Sequence, residues 1–542
     1  MKKKKKSISL NALMLKKEFF SDDFETHLSK DVEVISYQIH GGFDIDGKLF
    51  VKKSNDKEPT WLNHLQELSG EKIEELKNSS SSAVIILRYA ENVFAYTFGY
   101  GRFLINQGHF IQDFGIKTAL NTLNHESLRS IDLHSFDDQP IQKRSQVTKA
   151  SDISTFGIDI SKDILRSVTG LPNSNVKFRN ISGGDAVFSF SMDMTIDELT
   201  DISYMLTIHY KDNNYKKSFS WVDNIKRIKA KTKIDKLDNI LFRELKNENT
   251  DITIHVPEVI NWDDVLGFSF TRSKDKMETL LNIEDFYKYS ADEYTSSMMY
   301  NDSLFVHHSN GFTKNYSLYK SIYFEVIENK KTYILFAGIW YEIENTFMGR
   351  INEIISNIEL TDLVFPPVYE YVNLTRTKKQ PKMKLEREDE YNKRVANDCN
   401  YYLLDKKLVK TNRATTPIEV CDLLTKDKQL IHVKHKKGGS AGLSHLFAQG
   451  NVSAEILLGD RDFRLESRKV LRKVDKSIDK LIPKDKLNSS DYEIVYLILG
   501  EDVAVIKEKL PFFSKVNLTK AFENLTQKGF KVSIGSVPKE CK

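Results

Sequence analysis

At 542 residues the chain is too long for one core, and its 40% hydrophobic and 29% charged content excludes a disordered chain. No run approaches the ~18 consecutive apolar residues of a membrane-spanning helix, and a net charge of +4 is too small to make the whole molecule a magnet for nucleic acid. Cys399, Cys421 and Cys541 are few, odd in number and not in metal-ligand spacing, which predicts a reducing, cytoplasmic setting.

Lys2 to Lys6 reads as a basic leader on a first strand rather than a signal peptide, because Ser7 to Leu15 alternates in polarity and no small-residue cleavage site follows. A short helix (Asp22 to Leu28), a strand (Lys48 to Lys52), a helix (Trp61 to Leu68) and a hairpin (Ala83 to Tyr89, Val93 to Phe98) come next. A helix from Ile116 to Leu123 closes this block, and the polar, aperiodic stretch Asp137 to Gln146 predicts a linker. Beyond it, Ala186 to Met192 alternates as a strand. Met205 to Tyr210 and Lys216 to Trp221 flank Asp212-Asn-Asn214 as a hairpin signal. Ile322 to Ile327 and Lys331 to Gly338 form another hairpin, followed by an amphipathic helix from Asn345 to Ile358.

A second boundary falls near Phe365-Pro-Pro-Val368, with the basic segment to Lys384 as linker. The final block reads helix (Glu386 to Asn397), strands (Tyr401 to Leu404 and Leu408-Val409, Ile418 to Leu424, Leu430 to His435), helices (Leu443 to Leu458, Phe463 to Leu481), strand (Tyr492 to Leu499), helix (Leu518 to Lys528) and strand (Phe530 to Ile534). The expected fold class is therefore multi-domain α+β, with antiparallel or mixed sheets and flanking helices. The expected divisions are an N-terminal domain over 1–140, a central domain over 150–370 and a C-terminal domain over 376–542.

Chemistry concentrates in the last domain. Asp422 interrupts one apolar strand, and His432 and Lys434, two residues apart on the next, share a face. Basic runs crowd the same third of the chain at Lys378 to Lys384, Lys434 to Lys437 and Arg468 to Lys473. The glycines and Ser440 of Gly438-Gly-Ser440 put backbone amides at a helix entrance, and Ser444, His445 and Gln449 follow within two turns. With Lys436 and Lys437 these are the candidate nucleic-acid contacts.

The α-β-β-β-α-β order, with an aspartate on the second strand and a lysine on the third, resembles the PD-(D/E)xK restriction-endonuclease-like superfamily. The resemblance implies a metal-dependent phosphodiesterase acting on nucleic acid, DNA more than RNA, with Asp422, His432 and Lys434 as catalytic positions. A divalent metal, magnesium or manganese, would sit on Asp422, His432 and helix-borne Glu390. His432 stands where a second carboxylate is expected, so a non-catalytic sensor or scaffold with a degenerate nuclease-like domain is the alternative. The span from Glu419-Val-Cys-Asp-Leu through Leu-Ser-His-Leu-Phe-Ala-Gln-Gly450 also resembles a sporadically distributed bacterial family of uncharacterised proteins. That family occurs among phage-defence and mobile-element genes, so the likeness implies a role in defence and little biochemistry. A phage-derived trigger or partner protein and a homo-oligomer are further expectations, and the lack of a long apolar run predicts no membrane.

Three further patterns are set aside. Gly42 to Lys48 has P-loop spacing, but Leu49 stands where the motif needs serine or threonine. Asp113-Phe-Gly115 lacks a catalytic-loop partner. His432-Val-Lys434 and His209-Tyr-Lys211 copy the HxK of phospholipase D enzymes, yet both lack the aspartate five residues past the lysine.

Overall fold

The computed structural model describes residues 5–542 apart from 31, 40–44, 53–57, 59–61, 71, 73–79, 137–139, 259, 261–263, 274–275, 291–294, 310–311, 374–381, 411–416 and 437–438. The fold is α+β, and contacts divide it into two compact units: residues 1–134 with 142–222, and residues 135–141 with 223–542. The divisions expected near 140–150 and 370–376 differ from this one. Of the stretch read as a linker, Pro140 to Gln146 lies in the strand Pro140–Ser151, which pairs with Leu123–Phe136, and 137–139 lie outside the described residues. Pro140–Ser151 ends the sheet with a neighbour on one side only, which is why its sequence is polar rather than alternating.

The first unit is built on a ten-stranded sheet that begins at Ile35–Gln38, runs through Ser82–Tyr89, Asn92–Gly99, Lys6–Met14 and Val187–Met194, and ends at Pro140–Ser151. Period-two alternation sorts its side chains. Leu10, Ala12 and Met14 face a cluster that includes the helices Phe114–Thr122 and Leu199–Lys211, while Leu13 and Leu15 join Phe50, Val84 and Ile86 in another cluster. Gly115 explains the Asp113-Phe-Gly tripeptide: a Cβ there would lie 2.2 Å from the Val187 carbonyl oxygen, so the helix starts directly on sheet backbone. Met205 to Tyr210 belongs to a helix, not a hairpin strand, because Leu199, Ile202 and Leu206 bury a stripe at helical spacing. His209 therefore sits on a helix and His432 on a strand, so the two HxK triplets are not copies of one structural motif. Lys48 lies inside the strand Asp46–Lys52 and pairs with Glu25, so it heads no P-loop; 40–44 lie outside the described residues.

The second unit opens with a five-stranded sheet, in which Ile322–Glu328, Lys331–Phe336 and Ile339–Ile343 form an antiparallel meander. The helix Lys231–Lys246 packs on it through Leu237, Leu241 and Leu245. Buried Asp238 accepts hydrogen bonds from the Tyr300 and Tyr319 hydroxyls and from Trp340 Nε1, so a lone interior carboxylate is held by three neutral donors.

The site-bearing sheet has six strands in the order Glu359–Leu360, Lys531–Val537, Glu493–Leu499, Gln429–His435, Leu423–Leu424, Tyr402–Leu403. The first four are parallel and the last two join as an antiparallel meander. Glu493–Leu499 is buried at every position after the first, as a parallel strand covered on both faces must be. Ile431 and Val433 meet Tyr391 and Val395 of the helix Glu388–Asp398. His432 and Tyr496 face the helix Gly439–Gly459 instead, where Gly450 leaves room for the Tyr496 ring. Within the third basic run Arg468 is structural, as is Arg464 one turn before it. Buried Arg468 bonds to the Asp479 carboxylate and to the Asp479 and Ile482 carbonyls, and Arg464 donates to the Leu457 and Leu458 carbonyls.

Candidate active site

The expected strand from Ile418 to Leu424 is broken. Ile418–Glu419 pairs with Leu408–Val409, and Leu423–Leu424 pairs with Tyr402–Leu403 and with residues Leu430 and Ile431. The break turns Asp422 toward the far half of Gln429–His435, where strand pairing on that side has stopped. There the Val433 amide donates to Asp422 Oδ2 at 2.8 Å, and the His435 amide donates to Glu388 Oε1 at 3.1 Å. Two carboxylates thus take the place of a missing strand, satisfying backbone donors that would otherwise be stranded. Lys434 lies between those amides in sequence, and its Nζ is 2.9 Å from Glu388 Oε2.

Asp422 is 6% exposed. Its carboxylate lies with those of Asp405 and Glu419, one oxygen from each within 4.8 Å of the others. Burial, opposed by the Val433 hydrogen bond and reinforced by repulsion from Glu419, Asp405 and Glu388, pushes Asp422 up to about 7. Burial likewise raises Glu419, whose Oε2 accepts from Gln449 Nε2 at 3.0 Å. An all-oxygen set of this kind matches the preference of hard divalent cations.

Beside this cluster opens a cleft of about 1210 Å³, bordered by the C-terminal ends of Gln429–His435 and Glu493–Leu499. Its lining includes Glu388, Asp405, His435, Lys436 and Glu501 but not Asp422. Eight carboxylates line it against five lysines and arginines, and four of those cations, Arg387, Lys406, Lys436 and Lys539, lie against carboxylates. Lys436 lies 2.5 Å from Glu501, Lys406 is 3.2 Å from Asp389, and Arg387 is 3.1 Å from the same Asp389. Glu501 lies low, at about 2: burial opposes the shift, but hydrogen bonds from Lys436 and Lys509 outweigh it.

The predicted residues fare differently. Asp422 and Lys434 lie at the same end of the strand Gln429–His435, the first on the Val433 amide and the second on Glu388, and Gln449 reaches the acidic cluster through Glu419. His432 does not: it is fully buried, with Nε2 3.4 Å from Ser453 Oγ and Nδ1 lacking a partner among the described residues. Burial holds its ring neutral, down at about 3. Glu390 is exposed and turns back to accept from the Arg387 amide at 3.3 Å, capping its own helix. Ser444 is buried and accepts from Asn517 Nδ2, and His445 is exposed. Ser440 stands in the first turn of Gly439–Gly459, and Lys437 lies outside the described residues. Sequence reading missed Glu388, Asp405, Glu419 and His435. Glu388 was the nearest to hand, two positions before Glu390 and on a different helical face.

A sequence profile for a family of unknown function matches residues 10–538. The chain belongs to DUF6119. An uncharacterised family was the sequence-based expectation, and the match runs through both units of this DUF6119 chain. No curated protein and no solved structure matches it. Among the described residues of the DUF6119 fold, no helix is long and apolar enough to cross a membrane.

Proposed function

We propose that the C-terminal part of this chain is a restriction-endonuclease-like domain that hydrolyses phosphodiesters in nucleic acid, DNA ahead of RNA, with a divalent metal. The reading is carried by one observation: Asp422 and Glu388 take the backbone amides of Val433 and His435 on either side of Lys434, Glu388 also pairs with the Lys434 ammonium, and Glu388 and Asp405 line the adjoining cleft. Asp422, Asp405 and Glu419, with Glu388 at the rim, are the residues that would hold magnesium or manganese. Bound there, the ion would supply Lewis-acid polarisation and an activated water.

The remaining work belongs to this chain. Lys434 places an ammonium where charge develops on a phosphoryl group, and Glu388 sets its position. Gln449 fixes the orientation of Glu419. His432 takes no part, being sealed under a helix. An acidic lining repels a polyanion, so the cation also makes binding possible. In a phage-defence setting the substrate would be invading nucleic acid.

The test is cleavage of plasmid DNA, phage DNA and RNA by the full chain with magnesium or manganese and a chelator control. Loss of cleavage in Asp422→Asn and Lys434→Ala, with His432→Gln still active, is the expected pattern. Substrates left intact under every metal overturn the enzymatic reading. The non-catalytic sensor or scaffold reading has its own support, since Lys434 already has a counter-ion and the position expected to be acidic holds a buried neutral imidazole. It predicts that biological function survives Asp422→Asn and Lys434→Ala.

A further inference from the structure

His435 ends the strand that carries Lys434, and it makes two hydrogen bonds to one short stretch of chain. Its backbone amide donates to Glu388 Oε1 at 3.1 Å, and its ring Nε2 lies 2.8 Å from the Glu386 carbonyl oxygen. A carbonyl oxygen only accepts, so Nε2 carries the proton and Nδ1 keeps the lone pair. Nδ1 is buried and has no partner among the described residues. Glu386 is itself fixed. Its carboxylate takes Arg394 at 2.7 and 2.9 Å and the Tyr369 amide at 3.0 Å, and only 4% of the residue is exposed. His435 therefore ties the end of the strand to an anchored point two residues before Glu388, and holds Glu388 by the other bond.

We infer that His435 is a positioning residue of the proposed cation site: it fixes the entry of the helix Glu388–Asp398 so that Glu388 faces Lys434 and Asp422. The inference rests on the reading of that site as a divalent-metal site. Groups that orient a ligand from behind typically govern metal affinity by about 10–100-fold, and His435 is placed to do so without touching the ion. A residue that only packed would change stability and leave affinity alone.

The experiment is direct manganese binding to the full chain, by calorimetry and by paramagnetic resonance of free manganese, with melting temperature measured alongside. His435→Ala is expected to weaken manganese binding by about 10–100-fold. His435→Gln, which restores an N–H at the reach of Nε2, is expected to recover most of the loss. His432→Gln, on the opposite sheet face, is expected to bind as the unaltered chain does. Unchanged affinity in His435→Ala overturns the inference and leaves the metal site standing, as does a His435→Gln variant no better than alanine. An unaltered chain that binds no manganese overturns both.

Discussion

Replacing Asp422 with asparagine should make the metal-free protein more stable, and increasingly so as pH rises. An unfolded aspartate titrates near ~3.9, whereas folded Asp422 does so at about 7. The folded chain therefore holds a proton that the unfolded chain gives up. The corresponding stability is complete below pH ~4 and drains away as pH climbs through about 7. At ~1.4 kcal/mol per pH unit the full loss is ~4 kcal/mol, of which ~2–3 kcal/mol falls between pH 5 and pH 8. Asparagine keeps an oxygen for the Val433 amide and offers its own N–H to Asp405 or Glu419, yet carries no charge at any of these pH values. For residues 223–542, unfolding entropy of ~2 cal/mol/K per residue converts that gain to a melting shift of ~4 °C between the two pH values. Scanning calorimetry with chelator at pH 5 and pH 8 reads it directly. A difference between variant and parent that stays flat with pH, or that favours aspartate at pH 8, would refute the account of a strained, desolvated carboxylate.

Other expectations follow from the same packing. Manganese at a hundredfold excess over its dissociation constant should stabilise the parent at pH 8 by ~2.7 kcal/mol and leave Asp422→Asn unmoved, read as a melting shift. Arg468→Ala takes one of two guanidinium partners from the buried Asp479 carboxylate, Arg472 remaining, and leaves the Asp479 and Ile482 carbonyls without their donor; it should cost ~2–4 kcal/mol in denaturant titration, while exposed Lys469→Ala should stay within ~0.5 kcal/mol. A Cβ on Gly450 would stand 2.5 Å from Tyr496 Cε1, so Gly450→Ala should lose ~1–3 kcal/mol. On the helix Asn345–Ser356 a Cβ at Gly349 meets nothing within 4 Å, so Gly349→Ala should gain ~0.5–1 kcal/mol in the same titration.

Much of the C-terminal layer could be read in advance because its strands and helices carry long, unmixed apolar patterns. Gln429–His435, Glu493–Leu499 and Lys531–Val537 sit where buried runs were expected, and the helix Glu388–Asp398 where its periodicity lay. The hairpin expected around Asp212-Asn-Asn214 failed for a physical reason. Met205 to Tyr210 is rich in residues that suit either state, and the deciding stripe of Leu199, Ile202 and Leu206 lies mostly upstream. At the site, Asp422 and Lys434 were visible as polar interruptions of apolar strands. His432 gave the same signal and shares the Lys434 face, but it lies in the buried middle of the strand rather than at its end, under a helix where Ser453 is its hydrogen-bonding neighbour. Which acidic residue of a helix turns inward depends on how the chain enters that helix, and no local pattern encodes this. Glu388 was displaced by Glu390 on those grounds.

The half-open edge of Gln429–His435 has a consequence for how occupancy of the site could be watched. The carboxylates of Asp422 and Glu388 shield two main-chain amides from water and from any passing strand. A cation drawing on the same oxygens would weaken that shield, so loading the site should speed hydrogen–deuterium exchange at Val433 and His435 while slowing it in the surrounding layer. Catalytic readiness and protection from edge-to-edge aggregation would then compete for one pair of side chains.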